Sequence, residues 1–235
     1  MRLSVSVPPR SSWCKVLVVT SLLSAASAIP GRCGDSFQYA PLALPQESDP
    51  AWANLGNPRG EIGTDVLVAH TSLPTWSQWR LGVGPADSAR EFGDGSSLQL
   101  PQGASITVDF RVRIAPDSPD LPVLDVGLCN GSAGTTVSFS RDQINVAGVS
   151  KPIYTDTSQW GDYRLVIEGT QGQFFCAQTG TSLKLELPAA DWGTYIHFGF
   201  PALNEEQAVA DRSFEIKLIR WYPGQAMGVL PDSLE

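Results

Sequence analysis

From residue 104 to residue 114 apolar and polar side chains alternate. Ile106, Val108, Phe110, Val112 and Ile114 fall at one parity, and Thr107, Asp109, Arg111 and Arg113 at the other. A two-residue period places successive side chains on opposite faces of an extended chain, so this stretch predicts a strand with one wall on a core and one in water. Asp94 and Gly95 upstream, and Asp117, Pro119 and Pro122 downstream, are turn formers that bound it. Shorter stretches with strand character predict further strands over 65–69, 123–129, 135–140, 162–168, 173–177, 182–187, 194–200 and 213–221. Leu183, Leu185 and Leu187, for example, alternate with Lys184 and Glu186. Only NEEQAVAD, over 204–211, predicts a helix, of about two turns. Many short strands between turn signals predict an all-β chain folded as a two-sheet antiparallel β-sandwich, its last strand returning beside the first long one.

The N-terminus follows a different pattern. Arg2, Arg10 and Lys15 come without any acid, then an apolar run over 16–23, then Ala26-Ser27-Ala28. This is the order of a secretory signal peptide, which predicts residues 1–28 as the signal with cleavage after Ala28. The apolar run is too short to span a bilayer as a helix, so no membrane insertion is expected after cleavage. Residues 29–60, rich in Pro and Gly, read as a lead-in of loops and a strand, and 61–235 as the sandwich, the two forming one domain. Losing the signal leaves 13 basic against 24 acidic residues, a net charge of −11. Such a surface repels phosphate backbones and anionic lipid, which excludes nucleic acid and membrane surfaces as expected partners. The expected location is secreted, extracellular or periplasmic.

Three cysteines remain after the signal: Cys33, Cys129 and Cys176. In an oxidising compartment three single pairings are open to them. Cys129 with Cys176 is the favoured disulfide, because each falls in or at the end of a predicted strand, leaving Cys33 free or intermolecular. Three reduced thiols are the alternative.

The segments FGDGSSLQL, SITVDFRVRI, VLDVGL, VSFSRDQINVAG, QWGDYRLVIEG and FEIKLIRW, from about Glu91 to Tyr222, resemble the concanavalin A-like lectin and glucanase superfamily. That is the jelly roll shared by laminin-G-like modules and many extracellular glycan-active proteins. The resemblance implies a fold rather than an activity, since these are core and turn positions. Where the family often carries an Asp-Gly turn after its tryptophan strand, this chain has QFFCAQTGTSLKLEL, with Thr179-Gly180. Members that cleave β-glucans place carboxylates on one strand as E-x-D-x-x-E, supplying the acid and the nucleophile or base of glycoside hydrolysis. Alginate-lyase members use R-[ST]-E-L and Q-[IV]-H. None of these motifs occurs in the chain. Jelly rolls of this type often hold calcium with loop aspartates, which makes Asp87, Asp94, Asp117, Asp120 and Asp125 possible ligands. Turn formation explains all five without a metal.

Sugar rings offer an apolar face of C–H groups, so exposed aromatic rings with amide or charged neighbours are their natural platforms. Trp76 and Trp79, in HTSLPTWSQWRLG beside Gln78 and Arg80, and Trp52, in ESDPAWANLGN, are the ligand-binding candidates. Each could instead pin a loop to the sandwich. Trp160 and Trp221 read as core or rim packing, and His197, in YIHFGF, as a wall histidine on the same side as Tyr195 and Gly199. Asn130-Gly131-Ser132 is an N-glycosylation sequon. The leading function is a secreted, non-catalytic binding module for extracellular glycan or glycoprotein. A glycan-degrading hydrolase or lyase with a non-standard site, and a structural envelope protein, are the alternatives.

Overall fold

The computed structural model describes residues 36–84, 91–92, 98–189, 191–204 and 211–224. The signal segment, Cys33, Asp87, Asp94 and most of the expected helix lie outside them. In chain order the strands are β1 (Phe37–Tyr39), β2 (Ala53–Leu55), β3 (Arg59–Ile62), β4 (Leu67–Thr71), β5 (Ser77–Val83), β6 (Glu91–Phe92), β7 (Ile106–Ile114) and β8 (Leu124–Asn130). Then follow β9 (Gly134–Phe139), β10 (Gln143–Val146), β11 (Ile153–Tyr154), β12 (Gly161–Glu168), β13 (Gln171–Cys176), β14 (Thr181–Glu186), β15 (Thr194–Phe200) and β16 (Arg212–Pro223).

These strands form two antiparallel sheets. The first runs β14-β13-β12-β7-β16-β4-β3 with β1 added on β16, and the second runs β11-β10-β9-β8-β15-β5-β2 with β6 added on β5. The closing strand β16 does lie beside the first long strand β7, with Trp221 opposite Val108 and Phe214 opposite Ile114. Their register slips between Ile216 and Leu218, and this bulge lets both Ile216 and Ile219 face the core. The lead-in segment is woven into both sheets, β1 pairing with β16 and β2 with β5.

Two expectations drawn from the sequence change here. Residues 77–83 are a strand, β5, in which Trp79 and Leu81 point inward and are buried. Trp52 is buried too, its ring 5.0 Å from that of Phe198 and 5.7 Å from that of Trp221. Trp79 stacks on Phe198 at 5.2 Å and donates its indole N–H to Gln46 Oε1 at 3.0 Å. Neither ring is a surface platform, because the area each removes from water is worth more inside the sandwich than at its rim. Trp76 alone of the three candidates stays exposed, at 46 %.

The expected Cys129–Cys176 bridge is also absent. Cys176 packs in the core from the first sheet, whereas Cys129 lies at the outward parity of the second, opposite Tyr195 and Gly134. The two thiols therefore point to different sides of a sheet, and both are free and buried.

Three buried polar side chains are held by several partners each. Asp109 is fully buried on the first sheet and accepts two hydrogen bonds from Arg164, one from Arg220 at 3.2 Å and one from the Tyr222 hydroxyl. Arg212, also fully buried, donates to the carbonyls of Leu73, Pro122 and Pro201, tying together three loops at one end of the sandwich. Asn130 has no exposed surface: its amide donates to Ala104 and Gly169 carbonyls and its oxygen accepts from the backbone of Ser132 and Ala133. The sequon asparagine is thus consumed by the fold, and the folded chain does not present it for glycosylation.

Chemical denaturation separates the core tryptophan from the exposed one. Trp52→Ala should cost about 3–5 kcal/mol through lost packing and a cavity, and Trp76→Ala should stay within about 0.5 kcal/mol of the wild type. Equal losses would contradict the assignment of Trp52 to the core.

Candidate functional site

Alternation that sends Leu124, Val126 and Leu128 of β8 into the core sends Asp125, Gly127 and Cys129 outward. On β15, Ile196, Phe198 and Phe200 go inward and Tyr195, His197 and Gly199 outward; on β5, Gln78, Arg80 and Gly82 are the outward set. These three strands are neighbours, so nine outward positions form one patch at the middle of the second sheet.

Register fixes who meets whom. His197 sits opposite Arg80 on one side and Gly127 on the other. A Cβ at Gly127 would lie 2.0 Å from His197 Cε1, so the missing side chain is what lets the imidazole rest against β8. The next row reads Gln78, Gly199, Asp125, Ser138 and Asn145, across five strands. Gly199 has φ of 152°, and a Cβ there would meet Ser77 O at 2.3 Å, which restricts the position to glycine.

Electrostatics tunes the patch. The Arg80 guanidinium lies over the Tyr195 ring, 4.5 Å from its centroid, and donates to Gln78 Oε1 at 3.2 Å. His197 is 7 % exposed and its Nδ1 is buried without a hydrogen-bond partner among the described residues. Burial, assisted by the neighbouring Arg80 charge, pushes its pKa down to about 3. The imidazole is neutral across the physiological range, and this wall histidine keeps a buried nitrogen without a hydrogen-bond partner among the described residues. Asp125 accepts a 2.6 Å hydrogen bond from Ser138, yet burial pushes its carboxyl up to about 6, against the opposing pull of Ser138 and Arg212. The Cys129 thiol is pushed up to about 11 by burial, which makes it an inert packing group rather than a nucleophile.

Exposed aromatic rings lie on the same side of the second sheet and at its ends. Trp192, 45 % exposed, packs over Gly134, where an added Cβ would come within 2.8 Å of the indole. Tyr154, 72 % exposed, stands on the edge strand β11 opposite Gln143, on the same side of the sheet. Trp76 is exposed just ahead of β5. Of the possible calcium ligands, Asp125 bonds Ser138 and Asp120 shares a hydrogen bond with Asp142. Among the described residues no group of three His, Cys, Asp or Glu is placed to hold a metal ion. His70 is exposed on β4 of the first sheet, away from this patch.

No protein-family model matches the sequence, and no curated protein does either. Solved structures are similar in shape. A protein of unknown function, SO2946 from Shewanella oneidensis MR-1, superposes with a TM-score of 0.55 at 11 % identity, covering 84 % of this chain and 89 % of that one. The alginate lyase AlgAT5 of polysaccharide lyase family 7 gives 0.47 at 13 % identity, over 68 % of this chain and 81 % of that one. A prokaryotic β-1,3-1,4-glucanase from a mouse hindgut metagenome gives 0.47 at 8 % identity, over 81 % of this chain and all of that one. Two antiparallel sheets stacked face to face decide the architecture. The fold is a two-sheet antiparallel β-sandwich. Identities this low speak to the fold alone and leave the chemistry to this chain's own residues.

Asp125 of this sandwich gives a stability test free of any ligand. A carboxyl whose folded pKa is raised stabilises the fold only while protonated, so its penalty is absent below about pH 4, grows between about pH 4 and 6 and is complete above. Asp125→Asn should therefore match the wild type near pH 4 and exceed it above pH 6, by on the order of 1–3 kcal/mol. Melting curves across that range check this; a variant less stable than the wild type at neutral pH would contradict it.

Proposed function

We propose that the protein is a secreted, non-catalytic module that binds extracellular glycan on the outward face of its second sheet. The observation that carries this is the patch itself: amide, guanidinium, imidazole, phenol and carboxyl groups from three adjacent strands, with the exposed ring of Trp192 beside it and that of Tyr154 farther along the same face, on edge strand β11. Sugar hydroxyls are matched by such mixed donors and acceptors, and the apolar faces of sugar rings by the aromatic ones. Trp76, beside the same end of β5 as Gln78, adds a third ring.

Binding rather than cleavage is favoured by the carboxyl count: among the described residues the strands bring one carboxyl to this face, Asp125, where two-carboxyl hydrolysis needs a pair. Secretion rests on the signal-like order of residues 1–28, and the acidic surface keeps nucleic acid and anionic lipid away. No helix among the described residues is long and apolar enough to cross a membrane.

The test is retention on immobilised extracellular polysaccharides, read by affinity electrophoresis. The wild type should be retarded by at least one polysaccharide without releasing reducing or unsaturated ends. Trp192→Ala and Tyr154→Ala should each weaken retention by about 1–2 kcal/mol, the worth of an exposed ring covered by a sugar. Absence of retention on every polysaccharide, or steady release of shortened products, would contradict the proposal.

A further inference from the structure

The row Gln78, Gly199, Asp125, Ser138 and Asn145 crosses five strands of the second sheet at right angles to the chain direction. At the usual strand spacing it is about 19 Å long. Its outward groups are amides, a hydroxyl and one carboxyl, and its one bare position, Gly199, lies directly beside that carboxyl. Ser138, on the other flank, donates to Asp125 Oδ1 and so fixes the orientation of the carboxyl while leaving its β15 side without a neighbouring side chain.

Resting on the binding reading above, we propose that Asp125 is the central hydrogen-bond acceptor for the hydroxyls of an uncharged glycan lying across the strands along this row, and that protonation of Asp125 releases it. The charged and titratable groups around Asp125 are Arg80 on β5, His197 and Tyr195 on β15 and Arg212 at the start of β16; the flanking positions of β9 and β10 are Ser138 and Asn145, which do not titrate. His197 stays neutral down to about pH 3 and the Tyr195 hydroxyl is pushed up by burial, so neither changes charge between pH 4 and 8. Among the described residues, Asp125 is then the group of this face that does. A carboxylate held where it weakens the fold has a use in its ionised state, and accepting two or three hydroxyl donors is the use this row offers. Arg80, over the Tyr195 ring and bonded to Gln78, borders the row rather than lying in it.

The experiment is an array of uncharged oligosaccharides cut from β-glucan, xylan, mannan and chitin, beside oligouronates, probed with the wild type, Asp125→Asn and Ser138→Ala from about pH 4.5 to about pH 8. Wild-type retention of an uncharged oligosaccharide should weaken about tenfold per pH unit below the midpoint, because only the ionised fraction binds. Asp125→Asn should bind weakly with a flat profile. Ser138→Ala, which loses the bond that favours the carboxylate, should keep the profile and move its midpoint to higher pH, a test of the switch independent of Asp125→Asn. A flat wild-type profile with firm retention would overturn the switch and leave the binding face standing, as would an unmoved Ser138→Ala midpoint. Retention of oligouronates alone, or retention that strengthens in acid, would overturn the choice of an uncharged ligand. No retention at any pH would remove the binding face and this proposal with it.

Discussion

Phe198 lies between Trp79 and Trp52, with ring centroids 5.2 Å and 5.0 Å away, and these contacts hold β5, β15 and the incoming β2 in a single register. Once the rings point inward, strand geometry leaves no choice about the intervening positions: Arg80 and His197 must meet on the outside. A slip of β5 by one residue would expose Trp79 and Leu81 and bury the Arg80 guanidinium, a cost of several kcal/mol on both counts. The chemistry of the outward face is therefore a by-product of the packing behind it, and its precision is that of the core.

Burial is handled differently on the two sheets. On the first, Asp109 is enclosed by two arginines and a tyrosine hydroxyl, and Arg111 pairs with Asp162 and Arg113 with Glu215, so charge is neutralised within the wall. Such networks, once formed, are costly to break and offer little to a ligand. The second sheet instead holds a neutral imidazole with a buried, unpaired nitrogen and a carboxyl raised by burial. Perturbed groups of this kind gather where a protein binds or reacts rather than where it merely folds. The contrast between the two outer faces is what singles out the second.

Much of this was legible in the chain. The alternation of 106–114 and 194–200 gave the strands at or near their observed limits, and with β16 it gave the antiparallel sandwich. The segment 77–83 was harder, because its apolar positions are only Trp79, Leu81 and Val83 among polar neighbours; yet Gln78-Trp79-Arg80-Leu81 already carries the two-residue rhythm, and reading it as a strand would have sent both tryptophan and arginine to their correct sides. Trp52 could not have been placed this way. It lies just ahead of a three-residue strand, and its burial is settled by Tyr39, Phe198 and Trp221, which come from distant parts of the sequence. The cysteine pairing failed for a related reason: strand membership was clear, but parity decides the side, and Cys129 has the parity of Asp125 rather than of Leu128. Asp125 and Ser138 are thirteen residues apart and meet only through the β8–β9 register, which local pattern does not reveal.

Hydroxyl-radical footprinting read at each tryptophan addresses the parity of β5 and the packing behind it most directly. Trp76 and Trp192 should oxidise rapidly, while Trp52, Trp79 and Trp221 should be protected until the chain is unfolded. Oxidation of Trp52 and Trp79 in the native protein at the rate of Trp192 would mean that these rings face water, and the outward face built on their burial would not exist.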